Sequence, residues 1–550
     1  MSTSTVTRTA TRGTWTEGVD HEAIIIGAGV CGIYSLFRLR EMEMDVIVVE
    51  AGSDAGGTWY WNRYPGCRFD SESFSYSYSF SNELLADWDW TERFSPQPET
   101  YRYLQHVVDR FDLRPHMAFN SPVTDAIYDE DANRWEVTTG DGTLRTCRFL
   151  IPAVGLLSVP TRPTYPGMDT FAGPSFHTFD WPRDGIDLTG QRVAVIGTGA
   201  TAVQLIAAIA ADVGELKVFQ RRPNWCAPLH NSPITPDEMA AIKQSYDDIF
   251  ERCAQTPGGF IHGPVATRYA DTTAEERRAF WEELYGQPGF AIWLANYREV
   301  LMDPVANAEF SAFIADKIRE RVHDPETAEK LIPTDHGFGV QRVPMETNYF
   351  EAYNHEHVHL VDISESSISE ITPTGIRVGD DLHDVDVIIY ATGFDAITGA
   401  FDHMNIVGRD GRRLRDVWVD DPRTYLGVQV AGFPNMLLPE GPQGAAPTTN
   451  FPRIIETGVD FVRELLVHMR EVGAATVECT ADAEQQWQDE VASLYQMLLL
   501  RQARSWFTGY NSNLEGRDRM RHMMYNGGAP RFRQRLEAVA GAGYEGFELS

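Results

Sequence analysis

Apolar positions along the chain fall into a pattern that occurs twice. Residues 22–26 (EAIII) form an almost continuous apolar run, as expected of a parallel strand buried on both faces. A glycine-rich turn follows, Gly27-Ala28-Gly29-Val30-Cys31-Gly32. Helical spacing then runs to about Glu41, and a second apolar strand at Val46–Val49 stops at Glu50. The same order returns at Arg192–Ile196, Gly197-Thr198-Gly199-Ala200-Thr201-Ala202, a helix to about Ala211 and a strand at 216–220. Each set reads as a βαβ unit, so the pattern predicts an α/β fold with two Rossmann-like dinucleotide-binding domains.

A second echo orders the rest. Residues 133–154 and 375–392 each read as a hairpin followed by an apolar strand, ending in Ala153-Val154-Gly155 and Ala391-Thr392-Gly393. The implied layout nests the second unit within the first. It has a short solvated tail at 1–20, a first domain at 21–160 and 375–550, and a second at 161–230 and 335–374. A helical insertion fills 231–334, with Trp281, Phe290 and Trp293 expected to face its core. The tail is rich in Ser and Thr and carries Arg8 and Arg12.

Composition narrows the partners. The 550 residues exceed one ordinary domain. With 47 basic against 79 acidic residues the formal charge is −32, a field that repels nucleic acid and anionic membranes. Any anionic ligand needs a local basic cluster. Six cysteines, none in a CxxC pair, supply neither a zinc site nor a redox disulfide and fit a reducing, cytoplasmic setting. No apolar run approaches the ~20 residues that span a bilayer. A monomer or weak homo-oligomer is expected.

The glycine motifs state what they hold. The first glycine permits the tight turn, the second lets a pyrophosphate approach the backbone, and the third, with Ala202 in its place in the second copy, lets helix and strand pack closely. The acid Glu50 lies 18 residues past Gly32, where it accepts ribose hydroxyls and repels a 2′-phosphate. That suits FAD. At the matching place the second unit has Gln220-Arg221-Arg222, whose guanidinium groups suit the 2′-phosphate of NADPH.

Residues 171–182 (FAGPSFHTFDWP) match FxGxxxHxxxWP just before the second glycine motif. With residues 56–66 (GGTWYWNRYPG), Asp70, residues 391–395 (ATGFD) and residues 543–547 (GYEGF), the chain resembles the type I Baeyer–Villiger monooxygenases over nearly its whole length. The resemblance implies FAD, NADPH and O2 acting on a ketone. One oxygen atom is inserted beside the carbonyl through a flavin C4a-peroxide, giving an ester or lactone. It places Arg342 as the catalytic arginine and Asp70 as the acid that orients it. It also places Gly57, Thr58 and Trp59 at FAD, Thr392 and Gly393 at the cofactors, Trp506 on a loop over NADP, and His177 and Trp181 in a linker between domains. His177 and Trp181 also read as a stacked i, i+4 pair. Many members carry lysine before the arginine where this chain has Gln341, and threonine where it has Arg222. Arg222 is therefore expected to make up for the missing cation. Residues 219–228, 283–294 and 344–363 resemble the trimethylcyclopentenylacetyl-CoA monooxygenase type, which leans towards cyclic or terpenoid ketones.

Other readings stay beside this one. A heteroatom monooxygenase acting on sulfides or amines, or an NADPH oxidase, would use the same cofactors. His355, His357 and His359 alternate in an expected strand and so share a face, without an acid to complete a metal site. No GxSxG elbow is present. Residues 440–452, with Pro442, Pro447 and Pro452, are expected near the substrate.

Overall fold

The structure, a computed structural model, describes residues 15–445 and 449–550. Arg8, Arg12 and Pro447 lie outside them. Two parallel-centred sheets form the framework. The first runs Asn405–Val407, Val123–Asp129, Arg134–Thr139, Leu144–Pro152, His21–Ile26, Val46–Val49, Met117–Ala118. At its centre Ile24 pairs with Ile47 on one side and Leu150 on the other. These apolar residues are buried on both faces, because helices cover one face and the 405–440 region the other.

The second sheet is wholly parallel: Val358–Asp362, Glu215–Gln220, Arg192–Ile196, Val387–Tyr390, Ser175–His177. Val195 pairs with Val218 and with Ile389. The two units thus repeat one plan, with the glycine-motif strand flanked by its βαβ partner and by the strand that follows the hairpin.

Membership of this sheet corrects the expected return to the first domain at 375. Val387–Tyr390 hydrogen-bonds to both Arg192–Ile196 and Ser175–His177, so the chain goes back only after Gly393. The helix Phe451–Val472 then packs along Val30–Glu41, where Tyr34 and Arg38 both donate to Asp460, at 2.9 and 2.8 Å.

The expected tail also ends earlier than residue 20. Trp15 is 2% exposed, meets Phe149 edge-on at 4.8 Å and donates Nε1–H to the Ala474 carbonyl at 2.9 Å. The insertion is helical as read. Thr235 with Glu238 and Thr273 with Glu276 form capping boxes that start Pro236–Gln244 and Ala274–Tyr285.

Two side-chain expectations fail. The strand after the histidines begins at Val358, so only His359 lies in it. His357 contacts the Ala210 carbonyl, and no group of three metal-binding side chains occurs among the described residues. His177 and Trp181 do not stack either. A 3-10 turn at Thr178–Asp180 separates them, leaving His177 against Phe394 and Trp181 against Phe176. No helix among the described residues is long and apolar enough to cross a membrane.

Candidate active site

The strands of both sheets end at one continuous cavity of about 1250 Å³, above the ~300–1,000 Å³ typical of a single-ligand pocket. Every candidate residue except Gly32 lines it. Gly32 has the packing role read for it, since a Cβ there would lie 1.9 Å from the Gly27 carbonyl oxygen. Gly27 and Gly197 make the same turn, at φ +102° and +113°. A Cβ on either would reach 2.5 Å from a carbonyl oxygen, of Ala153 and Ala391 respectively. The two echoed sequences thus serve one purpose, passing the strand after each hairpin tight against the glycine turn.

Above each turn the backbone is open. A Cβ on Gly199 would meet nothing within 4 Å, and one on Gly29 only the Gly57 Cα at 3.4 Å. Both spaces sit at helix N-termini, Val30–Glu41 and Ala200–Ile209, whose first N–H groups face a ligand. The residues present therefore fit two dinucleotides. Glu50 is 4% exposed and accepts from the backbone N–H of Ala28 at 2.7 Å and of Gly52 at 2.6 Å. Burial raises its pKa and the two hydrogen bonds offset part of that.

The second unit presents cations. Arg221 donates to Asn513 at 2.9 Å and pairs with no carboxylate among the described residues. Desolvation, then neighbouring Arg222, pushes its pKa down, the signature of a cation awaiting an anion. Arg222 reaches Asp335 at a loose 3.5 Å. Its carbonyl accepts the Thr198 hydroxyl at 2.9 Å, tying the arginine turn to the glycine motif. Thr392 donates to the Thr161 carbonyl at 2.6 Å, bracing the loop that holds Gly393. Trp506 and Asn513 both line the cavity, so the segment that carries Trp506 reaches the arginines through Asn513.

Between the units lies an ion pair that sequence spacing does not bring together. Arg342 Nη1 meets Asp70 Oδ2 at 2.8 Å, and Asp70 is 4% exposed. The same oxygen accepts the Met345 N–H at 3.1 Å, and the other faces Gln204 Nε2 at 3.5 Å. Gln204 belongs to the second unit's helix. It also receives the Tyr64 hydroxyl at 3.0 Å and donates to the Arg68 carbonyl at 3.0 Å, clasping the two units behind the pair. Arg342 lies over the Phe290 ring, 5.4 Å from its centroid.

Phe290 is buried in the core as expected, at 5% exposure, and Trp293 packs partly buried against it, but both also line the cavity. Trp281 also faces that core. The short helix Ala291–Leu294 carries Trp293 and is capped by Phe290, and helical periodicity over four residues cannot reveal that both border a cavity. Trp59 also lines the cavity and donates Nε1–H to Tyr76 at 3.0 Å. His177 is buried, accepts the Phe179 N–H at Nδ1, and burial lowers its pKa to about 4, so it stands neutral. Of the described residues in 440–452, Glu440, Thr449, Asn450 and Phe451 line the cavity.

Comparison with known proteins agrees with this geometry. A pyridine nucleotide-disulphide oxidoreductase model matches residues 24–255. All six cysteines are free, buried thiols, so the match extends to the dinucleotide fold without the disulphide. The chain is 45% identical over 96% of its length to 2-oxo-Δ3-4,5,5-trimethylcyclopentenylacetyl-CoA monooxygenase of Pseudomonas putida, covering 98% of that protein. It is 42% identical over 96% of its length to the methyl acetate-forming acetone monooxygenase of Gordonia sp. (strain TY-5), covering 99% of it. The crystal structure of OTEMO complexed with FAD and NADP superimposes with a TM-score of 0.93 at 45% identity, covering 97% of this chain and 100% of that one. Two cofactor cradles, a buried Asp–Arg pair between them and near-complete coverage of ketone-oxidising relatives lead to one assignment: the chain belongs to the Baeyer–Villiger monooxygenases, FAD- and NADPH-dependent enzymes that oxidise ketones with O2.

Proposed function

We propose that the cavity inserts oxygen into a cyclic ketone and that Arg342 is its catalytic cation. The Asp70–Arg342 pair, at 2.8 Å and facing the space shared by both units, carries this reading. Gly27, Gly29, Glu50, Gly57, Thr58 and Trp59 would hold FAD, with Gly32 packing the turn beneath it. Gly197, Thr198, Gly199, Ala200, Thr201, Arg221, Arg222, Thr392, Gly393 and Trp506 would hold NADPH. When bound, the nicotinamide supplies a hydride and the flavin supplies the centre that activates oxygen.

The chain's part is electrostatic. Arg342 offers a guanidinium charge that would stabilise negative charge on the reacting oxygens. Asp70 positions it, and Met345 and Gln204 position Asp70. Phe290, Trp293, Leu294 and Leu301 form an apolar wall suited to a hydrocarbon ring. The relatives support a ring substrate in the first case and a small linear ketone in the second. A cytoplasmic location fits the free thiols. We also propose a monomer or weak homo-oligomer, checked by light scattering.

The test is incubation with NADPH, O2 and a panel of cyclic and linear ketones, with products read by mass. Esters or lactones one oxygen heavier, best from cyclic ketones, are expected. Hydrogen peroxide alone across the panel would mark an oxidase. Sulfoxide or N-oxide products with ketones untouched would mark a heteroatom enzyme.

A further inference from the structure

Glu440 is a carboxyl that the reading above leaves unused. It lines the cavity yet is only 8% exposed, and no cation pairs with it among the described residues. Its one hydrogen bond there is the Gly155 N–H, accepted at 3.2 Å. Gly155 follows the strand that presses on the first glycine turn.

The groups that face Glu440 come from three other elements. Cys31 opens the helix at whose N-terminus the pyrophosphate is expected, and the repulsion of Glu440 helps to keep its thiol protonated. Tyr76 accepts the Trp59 indole N–H at its hydroxyl, and its pKa is raised to about 12 by burial and then by the charge of Glu440. The third is the Gly155 backbone. Glu440 thus lies where the chain leaves the first glycine turn, held by Gly155 two residues past the Ala153 carbonyl that meets Gly27, and within electrostatic reach of Cys31 and Tyr76. Nearby, the helix Phe451–Val472 opens its N-terminus on the cavity through Asn450 and Phe451. That positive end favours negative charge in the same space. Desolvation raises the Glu440 pKa to about 7, so near neutral pH a small change in local charge shifts its protonation.

We propose that Glu440 is the proton carrier of the flavin cavity, taking one proton from solvent when hydride transfer leaves the bound flavin anionic and returning it on reoxidation. The balance is simple. NADPH gives a hydride, two electrons and one proton, to neutral oxidised flavin, leaving NADP+ and a flavin with one negative charge. One solvent proton then joins the Glu440 carboxylate and offsets the negative charge on the flavin itself, while the matching positive charge stays on the nicotinamide. The proposal rests on FAD occupying the first unit, which the flavin absorption of the purified protein reports separately.

Glu440→Gln tests it, because the amide oxygen still accepts from Gly155 and only the titration is lost. The midpoint potential of the holoenzyme's flavin is measured spectroelectrochemically from pH 5.5 to 9. In the wild type the potential should fall with pH more steeply above about pH 7, by ~30 mV per pH unit, the two-electron equivalent of one tenfold step. The variant should keep its FAD and lose that extra slope. A variant curve that retains the steeper segment would overturn the proposal, since the titration would then belong to the flavin or to another residue.

A second measurement needs no variant. Anaerobic reduction of the wild type by NADPH in weakly buffered dye at pH 7.5 should consume protons, up to one per flavin. No uptake at that pH would equally overturn the assignment.

Discussion

At the end of its second strand the first unit carries Glu50, and the second carries Gln220 followed by two arginines. Both polar side chains are buried, but they are spent differently. Glu50 turns into its own glycine loop and holds two backbone N–H groups beside the cavity. Gln220 turns away and donates to the Lys330 carbonyl at 2.7 Å, fastening the insertion and leaving Arg221 and Arg222 to face the ligand. The backbones of the two turns are nearly interchangeable, down to a carbonyl 2.5 Å from each first-glycine Cβ position. A shared backbone turn would receive a pyrophosphate in both units, leaving the few side chains at the strand ends to select the nucleotide.

The largest expected effect lies between the units. Arg342→Ala should lower ester formation by about 10²–10³-fold or more, the scale of losing a charge-stabilising group in a dry site. Anaerobic flavin reduction by NADPH should continue. If reduction stops as well, Arg342 acts on hydride transfer and the division of labour drawn here is wrong.

The next effect asks whether the turns are as alike as they look. Gly27→Ala should abolish FAD retention and Gly197→Ala should abolish NADPH binding with FAD retained. Each Cβ would meet a backbone oxygen that cannot move without its strand. Flavin absorbance and NADPH titration read the two separately, and loss of both ligands from either variant would show one folding unit instead of two cradles.

The arginines should give a smaller, selective effect. Arg221→Ala and Arg222→Ala should each raise the Michaelis constant for NADPH roughly 10–100-fold while leaving NADH little changed, as expected for one charge-assisted hydrogen bond. An unchanged NADPH/NADH preference in Arg222→Ala would remove the idea that it replaces the cation absent at Gln341. The loose 3.5 Å contact with Asp335 leaves Arg222 free for that role.

The last effect concerns the linker and is read in stability, with little change in activity. His177 is neutral and buried, with a folded pKa near 4 against about 6.5 when unfolded. A histidine pKa depressed by folding favours the folded state above the unfolded pKa, and that contribution is lost as pH falls through the folded one. Between pH 6.5 and 4 the protein should lose about 3 kcal/mol from this residue alone. Chemical unfolding at several pH values should show His177→Gln less acid-sensitive across that window. Parallel curves for the two proteins would mean that the imidazole is solvated in solution.

Much of the fold was legible because its governing interactions are local. Strands buried on both faces must be apolar throughout, and a turn that brings backbone against backbone must be glycine, so residues 21–50 and 192–220 announce themselves. The candidate site was legible in its ligand-facing backbone and, through resemblance, in Asp70 and Arg342. That Phe290 and Trp293 also border the cavity was not legible, because a four-residue helix has no periodicity to read. Glu440 passed as one residue of a proline-rich loop, since nothing in its neighbours' identities reveals burial without a cation.

By itself the sequence determined two dinucleotide turns, an acid on one and cations on the other, in a chain whose charge of −32 makes those cations conspicuous. Tertiary structure decided the rest. It placed Val387–Tyr390 in the second sheet, joined Asp70 to Arg342 and braced the pair with Gln204 from the opposite unit. It also turned the insertion's aromatics into the cavity wall. The reason is range: backbone sterics and strand burial act over a few residues and leave their mark in the sequence, whereas ion pairs and cavity walls depend on which distant surfaces packing brings together.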